Sequence, residues 1–170
     1  FVFVVVLSFY FSVQENSIAH FLRIITPLEH EAYVIDLWTR SQHKIGKWLQ
    51  GQILLGLVIG VLVYVGLILL GVQYALILAI LAAVFELIPL FGPILAAVPA
   101  VVFAFLQAPV LALWTVLLYV IVQQMENHLI YPLVARKAIG VPPLLIIISL
   151  LIGGKLAGFM GLVLAVPIAA

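Results

Sequence analysis

No cysteine occurs in the 170 residues, which excludes a disulfide scaffold, thiol chemistry and any Cys-ligated metal site. Charge is nearly as scarce. Seven Lys/Arg and six Asp/Glu make up 8% of the chain, where an average soluble domain carries about 25%. So few charged groups cannot give a globule of this size its polar coat. A net charge of +1 without a dense basic patch excludes a nucleic-acid binder. Aspartate occurs once, at Asp36, so no aspartate pair can make an intramembrane protease. His30-Glu31 lacks the second histidine of HExxH, and neither Gly-x-Ser-x-Gly nor a P-loop occurs. The remaining histidines are too scattered to hold a metal. No enzyme, cofactor or metal ion is expected.

What the chain has in excess is apolar surface: 67% of its residues are hydrophobic and the mean hydropathy is +1.40. The composition implies an all-α, polytopic transmembrane helix bundle, with the lipid bilayer as its first partner. Residues 1–13 form an apolar run with no basic n-region and no cleavage site, so they are not a signal peptide. Thirteen helical residues span about 20 Å, short of a hydrocarbon core of about 30 Å. They are read as the end of a truncated span, and the chain as the C-terminal part of a longer protein. Residues 14–52 hold four Lys/Arg, four Asp/Glu and three of the four His, and are read as cytoplasmic or interfacial amphipathic helices. Thr26-Pro27-Leu28-Glu29 reads as a capping box with proline at the first helical position. Beyond it, Val34, Leu37, Trp38, Ile45, Trp48, Leu49 and Gln52 recur at helical steps, and Asp36 and Arg40 pair at i,i+4. Trp38 and Trp48 with Arg40, Lys44 and Lys47 suit a helix at headgroup level, and an ordinary amphipathic helix packed on the transmembrane bundle fits the pattern as well.

Residues 53–170 are read as the membrane core. Ile53 to Leu70 carries no charge and is a spanning candidate. Gly56 and Gly60 form a GxxxG pair in it, as Gly154 and Gly158 do near the C-terminus, and both are read as packing faces. After a turn at Gly71-Val72-Gln73, a return run meets Glu86-Leu87-Ile88-Pro89-Leu90-Phe91-Gly92-Pro93. Two prolines four apart with a glycine between them should break the helix. Broken backbone at membrane depth must be satisfied by protein or by a water-filled cavity, and such helices often border transport sites. Glu86, immediately before the break, is a functional candidate because an ionised carboxylate at depth is costly. It could titrate with a coupled proton or bind a cation, or it could simply sit solvated at the boundary. Gln123, Gln124, Glu126 and Asn127 form a second polar cluster at the end of the span that starts at Pro109. Lys155 pairs with Glu86 or Glu126, or else snorkels to the interface. Leu144–Ile152 and Leu156–Ala170, separated by Gly153-Gly154-Lys155, read as a helical hairpin. The lysine and arginine distribution places residues 14–52 and the loop after Glu126 in the cytoplasm.

The run from Glu86 to Pro93, with Gln123-Gln124-Met125-Glu126-Asn127 and Tyr131-Pro132-Leu133-Val134, resembles the AI-2E family of bacterial membrane proteins. This family contains the autoinducer-2 exporter and PerM-like permeases. The closing run from Gly153 to Pro167 and Leu49-Gln50-Gly51-Gln52 are similar to it as well. The resemblance implies a multipass inner-membrane protein of which this chain is the latter half. It implies export of a small polar solute such as autoinducer-2, or exchange of sodium or lithium for protons. On that reading the candidate pathway residues are Glu86, Pro89, Gly92, Pro93, Gln123, Gln124, Glu126, Asn127 and Lys155. A different class of reading is a membrane scaffold that moves nothing and self-associates through its glycine faces into a homo-oligomer.

Overall fold

The computed structural model describes residues 17–89, 91–130, 133 and 143–169. The expected span end at 1–13 and the basic loop containing Arg136 and Lys137 lie outside the described residues. Within them the chain is all-α: α1 (Ser17–Ile25), α2 (Leu28–Leu70), α3 (Ala75–Phe85), α4 (Gly92–Gln107), α5 (Pro109–Met125) and α6 (Pro143–Ala169). A π-helical turn, Glu126–Ile130, continues α5. Residues 1–43 and 44–170 form two compact units.

In the first unit, α1 stops at the Thr26-Pro27 break, and Arg23 reaches Glu31 at 3.6 Å. The next helix opens at Leu28, so Pro27 stands just before the first helical residue rather than occupying it as the capping-box reading has it. Glu29 and Glu31 fall in the first turn, where carboxylates suit the positive helix end. Asp36 and Arg40 form their i,i+4 pair.

The amphipathic segment and the first span lie in one helix of 43 residues, α2. No proline interrupts it between Leu28 and Leu70, and its apolar stripe continues unbroken through Leu55, Ile59, Val63 and Leu67, all buried. Of the interfacial and packed placements open to it, Trp48 takes the packed one. It is 3% exposed and packs in a cluster with Ile88, Leu150, Ala165 and Val166. Gly56 and Gly60 face α3: a Cβ on Gly56 would stand 2.7 Å from the Ala83 carbonyl oxygen, and one on Gly60 3.0 Å from Ala83 Cβ. The GxxxG stripe is thereby covered from within the chain.

The turn after α2 and the end of α4 meet. The Gln73 amide donates to Gln107 Oε1 at 3.2 Å, and the Tyr74 and Phe103 rings stand edge to face at 5.6 Å. From this end α3 runs only 11 residues, about 16 Å, before it breaks. Helix α4 returns over 16 residues, about 24 Å. Neither covers a hydrocarbon core of about 30 Å. A single extended residue, Ala108, then joins α4 to α5, which opens on Pro109. Proline is tolerated there because its missing N–H would be unpaired in any case.

Among the described residues, three segments are long and apolar enough to cross a bilayer: Leu28–Leu70, Pro109–Ile130 and Leu144–Val166. The third is folded back on itself. Ala157 and Gly158 leave the helical region, Gly158 with φ +58, a conformation open to glycine at little cost. In a straight helix, residues eight apart would lie about 12 Å from each other. Here a Cβ on Gly153 would strike the Gly161 carbonyl, and one on Gly154 would stand 3.0 Å from Leu162. The hairpin therefore turns at 157–158, not at Gly153-Gly154-Lys155. The close glycine contact between its arms is Gly153 with Gly161. Gly158 forms the turn instead of packing with Gly154, because only the positive-φ position can reverse the chain so tightly.

Candidate functional site

Helix α3 ends where Pro89 removes a backbone donor, and the chain closes the gap with turns. Glu86 N–H donates to Ala82 O at 3.0 Å, Ile88 N–H to Phe85 O at 2.9 Å and Gly92 N–H to Ile88 O at 2.8 Å. Gly92 makes this closure possible, because a Cβ there would strike the Phe85 carbonyl. The Glu86 carbonyl is taken by another helix: Gln52 Nε2, buried on α2, donates to it. Gly56, one turn beyond Gln52, lets α2 approach so closely that a Cβ there would lie 3.6 Å from Glu86 Cβ. Ile88, within the break, is fully buried in the cluster with Trp48 and both arms of α6.

Glu86 is 2% exposed. Its carboxyl neighbours that of Glu126, itself 7% exposed, in the π-turn that continues α5. Gln123 Nε2 donates to Glu126 Oε2 at 3.2 Å. Glu86 Oε2 has no hydrogen-bond partner among the described residues, and neither do Trp48 Nε1 and Tyr119 Oη. Two neighbouring carboxyls away from water do not both stay ionised without a balancing positive charge.

Alongside, α4 and α5 leave a cleft of about 380 Å³, lined by residues including Pro93, Ala97, Tyr119, Gln123 and Gln124. Its wall is mostly apolar, with the two amides at one end. The buried face of α5 runs Ala112, Thr115, Tyr119, Val122 and Glu126, so hydroxyls and a carboxyl share one stripe.

Of the residues singled out from the sequence, Glu86, Glu126 and Gln123 come together. Pro89, Gly92 and Pro93 form and bound the break, with Pro93 inside the first turn of α4. Gln124 lines the cleft, and its carbonyl meets His128 Nδ1 at 3.0 Å. Asn127 is exposed. Lys155 is exposed too, and no ion pair joins it to Glu86 or Glu126 among the described residues. Sequence reasoning missed Gln52 and Tyr119 as parts of the site. For Gln52 a signal exists: Trp48, Gln52, Gly56 and Gly60 stand four apart, placing an amide on the stripe that carries the glycines. Tyr119 follows Thr115 by one turn on the buried face of α5.

Long apolar helices, two half-length helices meeting at a proline break, and buried carboxyls at that break define a multipass membrane protein. Its polar site is built on discontinuous helices. The chain belongs to the AI-2E transporter family, whose model matches residues 1–170. It is 34% identical over 160 residues to "Putative transport protein YueF" of Bacillus subtilis (strain 168), covering 94% of this chain and 43% of that one. It is 36% identical over 124 residues to YrrI of the same organism, covering 73% of this chain and 35% of that one. Over 103 residues it is 44% identical to MT0215 of Mycobacterium tuberculosis, covering 60% and 28%. The chain spans less than half the length of these curated relatives. No solved structure matches it.

Proposed function

We propose that the protein containing this chain is a secondary transporter of the bacterial inner membrane that exports a small polar solute, with autoinducer-2 as the solute to test first. The observation that carries this reading is the helix break between α3 and α4. It sets Glu86, Glu126 and Gln123 inside an otherwise apolar bundle, beside a cleft of small-molecule size. Buried polar groups at depth are costly and mark solute and ion pathways. The experiment is efflux of labelled autoinducer-2 from proteoliposomes containing the full-length parent. Efflux above that of protein-free liposomes, lost in Gln123→Leu, supports the reading; no efflux from well-folded protein overturns it.

A second reading, exchange of sodium or lithium for protons, is favoured by two buried, neighbouring carboxyls, Glu86 and Glu126, at the break. In everted vesicles it predicts that added sodium or lithium collapses a proton gradient, and that Glu86→Gln abolishes the response. The scaffold reading has less to rest on, since the Gly56 and Gly60 stripe is covered by α3. Specific flux through the pure protein would remove it.

A further inference from the structure

A small polar solute uses the amide end of the cleft between α4 and α5 and leaves its apolar length without an occupant. We infer that this length holds the apolar body of a neutral amphiphile drawn from the bilayer, whose one hydrogen-bonding end lies at Gln123 and Gln124. The inference rests on the transport reading for the role of the cleft and not for its occupancy. The cleft exists because α4 and α5 are pinned together at one end. Ala108 alone joins them, and Ala104 and Ala112 on either side of it are buried in the core. The space opens away from that joint, where α4 contributes Pro93, Ala97 and Val101 and α5 contributes Val116, Val120 and Gln124. Each set is spaced by four and forms one column along its helix, about 12 Å long. Ala97 stands at the middle of its column, and its single methyl leaves the space open. At about 380 Å³ the cleft falls in the range of small-molecule sites, roughly 300–1,000 Å³.

The chemistry of the wall names the class of occupant. Ile94, Val116 and Val120 line the cleft and are themselves exposed, so its mouth is rimmed by apolar side chains. Such a rim on membrane helices favours entry of an apolar body over entry of water. The described residues lining the cleft include no Asp, Glu, Lys or Arg, and a charged ligand against that wall would be left unbalanced. The polar end is built for a neutral group. Gln123 donates its amide nitrogen to Glu126 and keeps its carbonyl oxygen. Gln124 is exposed, and its side chain makes no hydrogen bond among the described residues. An amide offers both a donor and an acceptor, so a ligand hydroxyl is met in either sense. One such head at the amides, with its apolar body lying toward Ala97 and Val101, satisfies both parts of the cleft.

The test reads binding without flux. The full-length parent in nanodiscs is irradiated with 3-azioctanol, a neutral alcohol carrying a photoreactive diazirine, and the adducts are located by mass spectrometry. The expected result is saturable labelling concentrated on the cleft residues of α4 and α5. Excess 1-octanol should suppress it and charged octanoate should not. The matching diazirine hydrocarbon, which lacks the hydroxyl, should label exposed apolar side chains without this preference. Ala97→Phe fills the middle of the cleft and should abolish the concentrated labelling; thermal melting and gel filtration show whether it folds. Gln124→Leu removes an exposed amide that holds nothing else, and cleft labelling should fall about fivefold, the worth of one hydrogen bond. Adducts spread in the pattern of the hydrocarbon overturn the inference. So does competition by octanoate equal to that by octanol, or cleft labelling unchanged in a folded Ala97→Phe or in Gln124→Leu. Absence of cleft adducts overturns it too, and would mean that another part of the full-length protein covers the cleft. Cleft labelling without efflux of autoinducer-2 leaves the amphiphile site standing and removes the export reading; efflux without cleft labelling does the reverse.

Discussion

Gln52 shows how a single amide can hold a broken helix in place. Its side chain donates to the Glu86 carbonyl at the end of α3 and so ties that end to α2. Gln52→Leu keeps the volume and removes the donor, so the Glu86 carbonyl is left buried and unpaired. The expected cost is about 1–3 kcal/mol, read from chemical unfolding of the purified protein in micelles. Tyr119 gives the opposite case. Its hydroxyl is buried without a partner, so Tyr119→Phe should leave stability unchanged or raise it, since an unsatisfied buried hydroxyl is itself a cost. A drop in melting temperature would mean that another part of the full-length protein uses the hydroxyl. Glu86 was legible in the sequence because an ionisable residue beside a proline break stands out against an uncharged run. Its nearness to Glu126 was not, because nothing in local spacing tells which of two distant polar helix ends will meet.

At the scale of elements, prolines and glycines mark the breaks well and the reversals poorly. Pro89 and Pro93 announce the interruption between α3 and α4, and the structure breaks there because Pro89 has no N–H to continue the ladder. The hairpin of α6 was expected from two short apolar arms, yet its turn lies at 157–158. Glycines at 153, 154 and 158 all permit a turn, and only the packing of Gly153 against Gly161 selects among them. Trp48 illustrates the same gap: its spacing beside lysines suits an interface and a packed face alike, and only Ile88 and the arms of α6 decide for burial. Two predictions follow at this scale. Gly92→Val pushes a side chain into the Phe85 carbonyl and should cost about 1–3 kcal/mol, since backbone cannot move aside as a flexible side chain can. Gly153→Ala should destabilise more than Gly154→Ala, because the first meets the Gly161 backbone and the second only the Leu162 side chain. Thermal unfolding of the three variants orders them.

For the molecule as a whole, the arrangement of ends gives a topology that labelling can check. Gln73 and Gln107 meet at one end. On the lysine and arginine bias, that end is expected on the non-cytoplasmic side and the segments around Gln42 and His128 in the cytoplasm. The chain brings no cysteine of its own, so single cysteines report cleanly. Gln73→Cys and Gln107→Cys should react with a membrane-impermeant maleimide in intact cells, whereas Gln42→Cys and His128→Cys should react only after permeabilisation. Labelling of the two pairs from one side would reject this topology. The depth of the α3–α4 break has an electrical consequence. Helix α3 carries the chain about 16 Å from the Gln73 turn, roughly half the thickness of the hydrocarbon. Moving one elementary charge across the whole membrane is worth about 2.3 kcal/mol per 100 mV. A charge that reached Glu86 from the side of the Gln73 turn would cross about half of that field, so its access to the break would depend on membrane voltage as well as on concentration.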